Sequence, residues 1–212
     1  MLARTAAHSI YLPIAPRNFA RLSILLGASN IEQGVFLAFG EDVDTEVVTV
    51  GSPPYEARRT GNGEILPSQD GNLIPDGFML FRIDNNAIFQ GEPTTRIRIE
   101  VEYYDLGTDR FAIQYDSLSQ SDEETNLIAK GDTGSFQVVA FYLCDAFFGD
   151  RLNGGDFRIT DNNDGAEVIR SVTVTRLHGN PVINVDSCGA DPWDTSPDSD
   201  AIQRCVDMAC PG

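Results

Sequence analysis

The chain has 212 residues, of which 42% are hydrophobic and 22% charged, and this is the composition of a folded protein with a sizeable core. Its 32 acidic residues outnumber 15 basic ones and give a formal net charge of −17. Such a charge repels phosphate backbones and anionic lipid surfaces, which argues against nucleic-acid and membrane partners. Neutral sugars and cations such as Ca²⁺ remain compatible partners, and no apolar run is long enough for a transmembrane helix.

Short runs of β-forming residues separated by turn residues extend from residue 22 to residue 185, after an N-terminal linker or extension at 1–21. The runs are SILLG, GVFLAFG, TEVVTVG, GFMLFRID, RIRIEVEYY, RFAIQYDS, SFQVVAFYL, FRIT and AEVIRSVTVTRL. This spacing predicts an all-β fold of nine to eleven strands, an antiparallel two-sheet jelly-roll β-sandwich. A barrel with the same number of strands is the alternative.

The clearest strand, RIRIEVEYY, alternates apolar and polar residues, so Tyr103 is expected in the core and Tyr104 on the wet face. A turn at residues 105–109 separates it from RFAIQYDS, and the two strands are expected to form a hairpin. Core or corner packing is the expected role of Phe111, Phe136, Phe141, Phe147, Phe148 and Phe157.

The second half of this region resembles a jelly-roll domain type, galactose-binding-like in shape, of bacterial extracellular carbohydrate-active proteins. Three segments carry the resemblance in the same order, namely residues 132–136, 145–148 and 153–159. The resemblance covers roughly residues 22–178. It implies an extracellular, secreted protein and a non-catalytic carbohydrate-binding module.

Sugar binding requires an exposed aromatic ring with hydrogen-bonding groups around it, because a pyranose presents C–H groups on its face and hydroxyls at its edge. Tyr104 on the polar face of its strand, Tyr55 in a long polar loop and Trp193 after the sandwich are the candidate ligand-binding residues. Catalysis is not expected, since neither histidine, His8 or His178, accompanies a nucleophile motif.

Calcium is the candidate metal, with a structural role, because loops dense in Asp and Asn supply the oxygen ligands that it prefers. The candidate ligands are Asp42 and Asp44 in GEDVDTE, and Asp161, Asn163 and Asp164 in DNNDG. Polar turns are the alternative for both segments, since Asn, Asp and Gly tolerate left-handed backbone angles.

The chain has four cysteines, at positions 144, 188, 205 and 210. In an oxidising compartment Cys188 would form a disulfide with Cys205 or Cys210, and buried free thiols are the alternative. With no CxxC pair and no Cys/His cluster, the sequence does not predict a zinc site.

The tail at 186–212 is predicted to contain a short amphipathic α-helix. Ser196 suits its N-cap, and Ile202, Cys205, Val206 and Ala209 form one apolar stripe. The segment SDAIQRCVDMAC resembles the N-terminal capping segment of pectate-lyase-like right-handed parallel β-helices. The resemblance implies a chain that ends where a polysaccharide-acting β-helix would begin.

These observations predict a non-catalytic, carbohydrate-binding accessory module of an extracellular polysaccharide-acting protein, with a polysaccharide or oligosaccharide as its partner. The alternative is a structural subunit of an extracellular assembly or filament, formed as a homo-oligomer by exchange of edge or terminal strands.

Overall fold

Strands account for all the regular secondary structure in the described part of a computed structural model, which comprises residues 21–38, 45–61, 65–67, 73–75, 77–91 and 95–177. The all-β prediction is confirmed within these ranges. The predicted C-terminal helix, the domain boundary at residue 185 and the N-terminal extension lie outside them. None of the described residues forms a helix that is long and apolar enough to cross a membrane.

Two antiparallel sheets hold thirteen of the described strands. The first sheet contains β1 (Leu22–Leu25), β2 (Ile31–Gln33), β4 (Glu46–Val50), β5 (Tyr55–Arg59), β9 (Arg96–Asp105), β13 (Ser135–Leu143) and β15 (Val168–Leu177). The second contains β3 (Val35–Leu37), β8 (Phe78–Ile83), β10 (Arg110–Tyr115), β11 (Glu123–Glu124), β12 (Ile128–Ala129) and β14 (Phe157–Thr160). A separate pair joins β6 (Ile65–Pro67) to β7 (Leu73–Pro75).

The central order of the first sheet is β13-β9-β15-β1-β2, and the β4–β5 hairpin joins this sheet through the pairing of β5 with β15. The second sheet runs β11-β10-β14-β8-β3, with β12 also paired to β10. From β8 onward the long strands alternate between the two sheets along the chain.

A single large apolar cluster fills the space between the sheets, so the domain is a β-sandwich. Ile97, Ile99 and Val101 enter it from β9, and Phe81 and Phe157 enter it from the opposite sheet. The two phenylalanine rings are stacked, with centroids 5.0 Å apart. Strand β9 alternates buried and half-buried residues along its full length, as its sequence predicts.

The predicted hairpin between β9 and β10 is wrong. Strand β9 pairs with β13 and β15 in the first sheet, whereas β10 pairs with β11, β12 and β14 in the second. Residues 105–109 therefore carry the chain across the sandwich. The apolar faces of both strands meet across the core, as the ring contact of Tyr103 with Phe111 shows at 4.9 Å between centroids.

Cys144, the one cysteine among the described residues, is disulfide-bonded. It follows β13 directly, at the edge of the first sheet. The free-thiol alternative is therefore wrong for this cysteine, and the predicted pairing, which left Cys144 out, does not account for it.

Replacing Phe81 by alanine tests the stacked centre of the core. Phe81 is completely buried against Phe157, so Phe81→Ala is expected to lower the free energy of unfolding by about 3–5 kcal/mol through lost burial and a residual cavity. Urea titration followed by fluorescence measures the change. The exposed Phe89 serves as the control, and Phe89→Ala should change stability by no more than about 0.5 kcal/mol. Equal effects of both variants would contradict this core.

Candidate functional site

Three aromatic side chains meet on the outer face of the first sheet, which is the face that points away from the core. The pairing of β9 with β13 places Tyr104 directly opposite Phe136. Their ring centroids are 5.2 Å apart and the rings meet edge to face. Because Tyr103 is buried on the inner side of β9, Tyr104 must point outward, as predicted.

Tyr55 reaches the same place from the β4–β5 hairpin. Its ring meets Phe136 edge to face at 5.9 Å between centroids, and 39% of its surface remains exposed. The hairpin turns at Gly51, whose φ of +86° is a left-handed angle that favours glycine. The turn thereby brings β5 and the ring of Tyr55 over the N-terminal end of β13, where Phe136 lies. We call Tyr55, Tyr104 and Phe136 the aromatic cluster.

Arg170 lies against the aromatic cluster from β15. The pairing of β15 with β9 is irregular between Ile169 and Ser171, which marks a β-bulge at Arg170. The guanidinium carbon lies 4.3 Å from the ring centroid of Tyr55 and 5.3 Å from that of Phe136. Both distances are within the range of a cation–π interaction.

Glu102 connects Arg170 to the sheet. Its Oε1 is 2.8 Å from Arg170 Nη1, and its Oε2 accepts a hydrogen bond from the Ser171 hydroxyl at 3.0 Å. Glu102 and Arg170 are both half-buried, so solvent screens their ion pair only in part. The ion pair with Glu102 fixes the position of the Arg170 guanidinium, which packs over the rings of Tyr55 and Phe136.

The aromatic cluster and these polar groups together form a surface that can bind a ligand with both apolar and polar faces. Partly exposed rings can contact the C–H groups of such a ligand, while a carboxylate, a guanidinium and a hydroxyl can bind its polar edge. No described group of three or more His, Cys, Asp or Glu residues is placed to hold a metal ion.

Two of the three predicted ligand-binding residues, Tyr55 and Tyr104, come together in this cluster, and Trp193 lies outside the described residues. Phe136 was expected in the core or at a corner, and this is wrong, because its register with Tyr104 places it on the outer face. Phe147 packs at a corner and not in the core, since it lies in the loop after β13 and is half-buried under the Arg151 guanidinium. The other four phenylalanines are buried as predicted, namely Phe111, Phe141, Phe148 and Phe157.

The segment DNNDG forms a tight turn after β14. Asn162 and Asn163 have φ values of +54° and +57°, and Asp161 Oδ1 accepts a hydrogen bond from the Asn163 backbone N–H at 2.8 Å. Asp164 accepts hydrogen bonds from the Arg110 backbone N–H and side-chain Nε at 3.0 and 3.3 Å. These carboxylates already have donors from the protein. Calcium at this turn stays a prediction, and Asp42 and Asp44 lie outside the described residues.

Asp161 lies at a pocket of about 190 Å³ on the outer face of the second sheet. The pocket also contains Phe78 and Arg158, whose guanidinium carbon is 4.7 Å from the Phe78 ring centroid. Burial raises the pKa of Asp161 to about 6. A carboxyl group with this pKa is readily protonated in mildly acidic solution.

The chain matches no protein-family model and no curated protein. Among solved structures it is similar to the CBM22-1 xylan-binding domain of Xyn10C from Paenibacillus barcinonensis, at 10% identity and a TM-score of 0.40, over 74% of this chain and 94% of that one. It is also similar to the C-terminal CBM6 of the laminarinase LamC from Zobellia galactanivorans, at 13% identity and a TM-score of 0.37, over 66% and 98%. A third similarity is to the vertex protein of PRD1, at 12% identity and a TM-score of 0.33, over 74% and 73%. These values assign the chain to no family.

A double-mutant cycle tests the contact of Arg170 with Tyr55. The variants Arg170→Ala and Tyr55→Ala should show a coupling free energy of about 0.5–1 kcal/mol in urea unfolding, because either change alone removes the cation–π contact. As a control, Arg170→Ala combined with Phe36→Ala on the other sheet should be additive within about 0.5 kcal/mol. Additivity in both pairs would show that the guanidinium does not support the ring.

The raised pKa of Asp161 predicts a pH-dependent stability. Between about pH 4 and pH 6 the unfolded chain loses this proton while the folded protein keeps it, so the free energy of unfolding falls as pH rises through this window. Asp161→Asn removes this effect. We therefore compare the free energy of unfolding of the variant with that of the wild type at each pH. This difference, variant minus wild type, should be about 1–3 kcal/mol more positive at pH 7 than at pH 4.

Urea unfolding in EDTA at both pH values measures this difference, and the same titration in Ca²⁺ tests the metal prediction. If Ca²⁺ stabilises the wild type but not Asp161→Asn, the result would indicate an ion bound at this turn. A difference between the two proteins that does not change with pH would contradict the raised pKa.

Proposed function

We propose that this chain is a non-catalytic carbohydrate-binding module with a jelly-roll fold, and that it binds a polysaccharide or oligosaccharide through the aromatic cluster. The observation that carries the proposal is the convergence of three partly exposed rings with Arg170, Glu102 and Ser171 on one sheet face. Rings that contact sugar C–H groups, with hydrogen-bonding groups around them, are what a pyranose requires. The alternation of long strands between the sheets and the sequence resemblance are consistent with the jelly roll.

A neutral glycan fits this surface better than an acidic one. The chain carries a net charge of −17, and at the cluster the one positive charge of Arg170 is paired with Glu102. An acidic polysaccharide would approach against the field of the whole protein, whereas a neutral one experiences no such repulsion. The ligand class that we propose is therefore a neutral polysaccharide.

An extracellular location is part of the proposal. Cys144 is disulfide-bonded, and disulfides form and persist in oxidising compartments but are rare in the reducing cytosol. The resemblance to domains of extracellular carbohydrate-active proteins agrees with this location. We further propose that the module belongs to a secreted polysaccharide-acting protein. We also propose that its acidic turns bind structural calcium.

Affinity electrophoresis through gels that contain single neutral polysaccharides tests the binding. The wild-type protein is expected to be retarded by at least one of them. Tyr104→Ala and Phe136→Ala should each weaken the affinity at least about tenfold, which corresponds to about 1.4 kcal/mol. Runs in EDTA and in Ca²⁺ separate a metal requirement from direct sugar binding.

The matched control is Phe36→Ala, which removes a phenylalanine of 37% exposure from the outer face of the second sheet. This variant should bind as the wild type does, and urea unfolding confirms that all variants are folded. Mobility that is unaffected by every polysaccharide, in either buffer, would overturn the proposed function. Equal losses in Phe36→Ala and Tyr104→Ala would move the site away from the cluster.

A further inference from the structure

A lysine, an aspartate and a glutamate meet in the interior at one end of the sandwich. Lys130 Nζ lies 2.7 Å from Asp109 Oδ2 and 3.1 Å from Glu167 Oε2. The three side chains are 2%, 12% and 0% exposed, respectively. A buried amine in direct contact with a buried carboxyl group, with a second carboxyl group beside both, is an arrangement in which covalent chemistry can occur.

The backbone holds the amine and the carboxyl group together. Asp109 comes just before β10 and Lys130 just after β12, and the pairing of these two strands extends to a hydrogen bond from Lys130 N–H to Asp109 O at 3.0 Å. A side chain at position 165 would collide with the Asp109 carboxylate, so glycine allows the 164–166 turn to pack directly on it. A nitrogen that contacts the carboxyl oxygen is close to the distance of about 3–3.5 Å at which it can attack the carbon.

Glu167 has the properties of a proton-transfer group. Burial raises its pKa to about 8, although the neighbouring Lys130 acts to lower it. It is therefore mostly protonated at neutral pH. It can give this proton to a carboxyl oxygen and recover one from the amine, which is general acid–base catalysis by a single group.

We propose that Lys130 and Asp109 condense to an intramolecular isopeptide bond, with Glu167 transferring the protons. Burial alone would lower the pKa of Lys130, but the neighbouring Asp109 and Glu167 hold it above its usual value, so the ammonium is the resting form. The reaction therefore starts when the ammonium passes a proton to the Asp109 carboxylate across their 2.7 Å contact. The free electron pair of Nζ then attacks Cγ of Asp109. The N–C bond forms, the carbonyl electron pair moves to oxygen, and that oxygen takes the Glu167 proton.

Glu167 next removes a proton from the nitrogen, which leaves a neutral tetrahedral carbon. It returns this proton to one hydroxyl, the C–O bond breaks, and water leaves while the remaining hydroxyl gives its proton back to Glu167. One amide and one water replace one ammonium and one carboxylate, so no oxidant or other reactant is needed. A pocket of about 430 Å³ beside Asp109 offers the water a way out.

The product would remove the opposite charges of Lys130 and Asp109 from the interior. Buried ion pairs lose much of their attraction to the cost of desolvation, whereas an amide carries no net charge. The bond would also close the chain from residue 109 to residue 130 into a covalent ring, and this limits the freedom of the unfolded state. The expected consequence is a domain that resists unfolding at this end.

The intact mass of the reduced and denatured full-length protein tests the proposal. The mass should fall below the sequence mass by one water molecule. After trypsin digestion, peptide 99–110 should remain joined through its side chain to peptide 111–151, because a modified Lys130 is not cleaved. This product has the same mass as an uncut 99–151 segment, so fragmentation must show two separate amino termini.

Two variants serve as controls. Lys130→Arg keeps the positive charge without a nucleophilic amine and should show the full mass. Glu167→Gln keeps the size of the side chain but cannot transfer protons in this way, so it should show mostly unreacted protein. Dehydration of an aspartate to a cyclic imide also removes one water, but it would persist in Lys130→Arg and leave peptides 99–110 and 111–130 separate.

The wild-type peptide map decides the question even if a variant does not fold. A branched peptide in the wild type and its absence in Lys130→Arg establish the bond. A wild-type protein of full mass after prolonged incubation at neutral pH, with peptides 99–110 and 111–130 separate, would overturn the proposal and leave an ordinary ion pair. A Glu167→Gln variant that cross-links as fast as the wild type would overturn the role of Glu167.

Discussion

The structure depends on the pairing of β9 with two neighbours at once. Its inner side chains fill the core, and its outer side chains Glu102 and Tyr104 belong to the candidate site. Its last residue, Asp105, is buried and accepts hydrogen bonds from the backbone N–H groups of Gly131 and Thr133 at 2.8 and 3.1 Å. Although burial alone would raise it, these hydrogen bonds hold the pKa of Asp105 below its usual value. One strand therefore connects the core, the site and the loop that leads into β13.

The two-residue period of β9 made its buried and exposed faces predictable from the sequence. The same period does not say which strand lies beside it, since β9 and β10 would alternate in the same way in a hairpin or on opposite sheets. Phe136 could not be placed because β13 is apolar on both faces, with Val138 and Tyr142 on one side and Val139 and Phe141 on the other. Its position follows from register, and register is set by tertiary structure.

Arg170 and the cluster around Lys130 had no recognisable sequence signal. A single arginine in a β-strand normally indicates a solvated position, and only the bulge turns this one toward the rings. Lys130, Asp109 and Glu167 are separated by tens of residues, and each looks like an ordinary surface charge. Their burial arises because β12 pairs with β10 while the start of β15 lies across from them, which no local pattern indicates.

Strand β15 links the buried charges to the outer face. Glu167 lies in the interior just before this strand begins, and three residues later Arg170 contacts the aromatic cluster on the outside. The bulge between Ile169 and Ser171 changes the strand register. Arg170 and Ser171 can therefore both point to the outer face, while Ile169 and Val172 remain in the core. Because Glu167 is held by Lys130 and by a hydrogen bond from its backbone N–H to the Thr60 hydroxyl at 2.8 Å, the strand enters the bulge from a fixed point. A rigid entry of this kind would keep Arg170 over Tyr55 without a ligand, which lowers the conformational cost of binding at that surface.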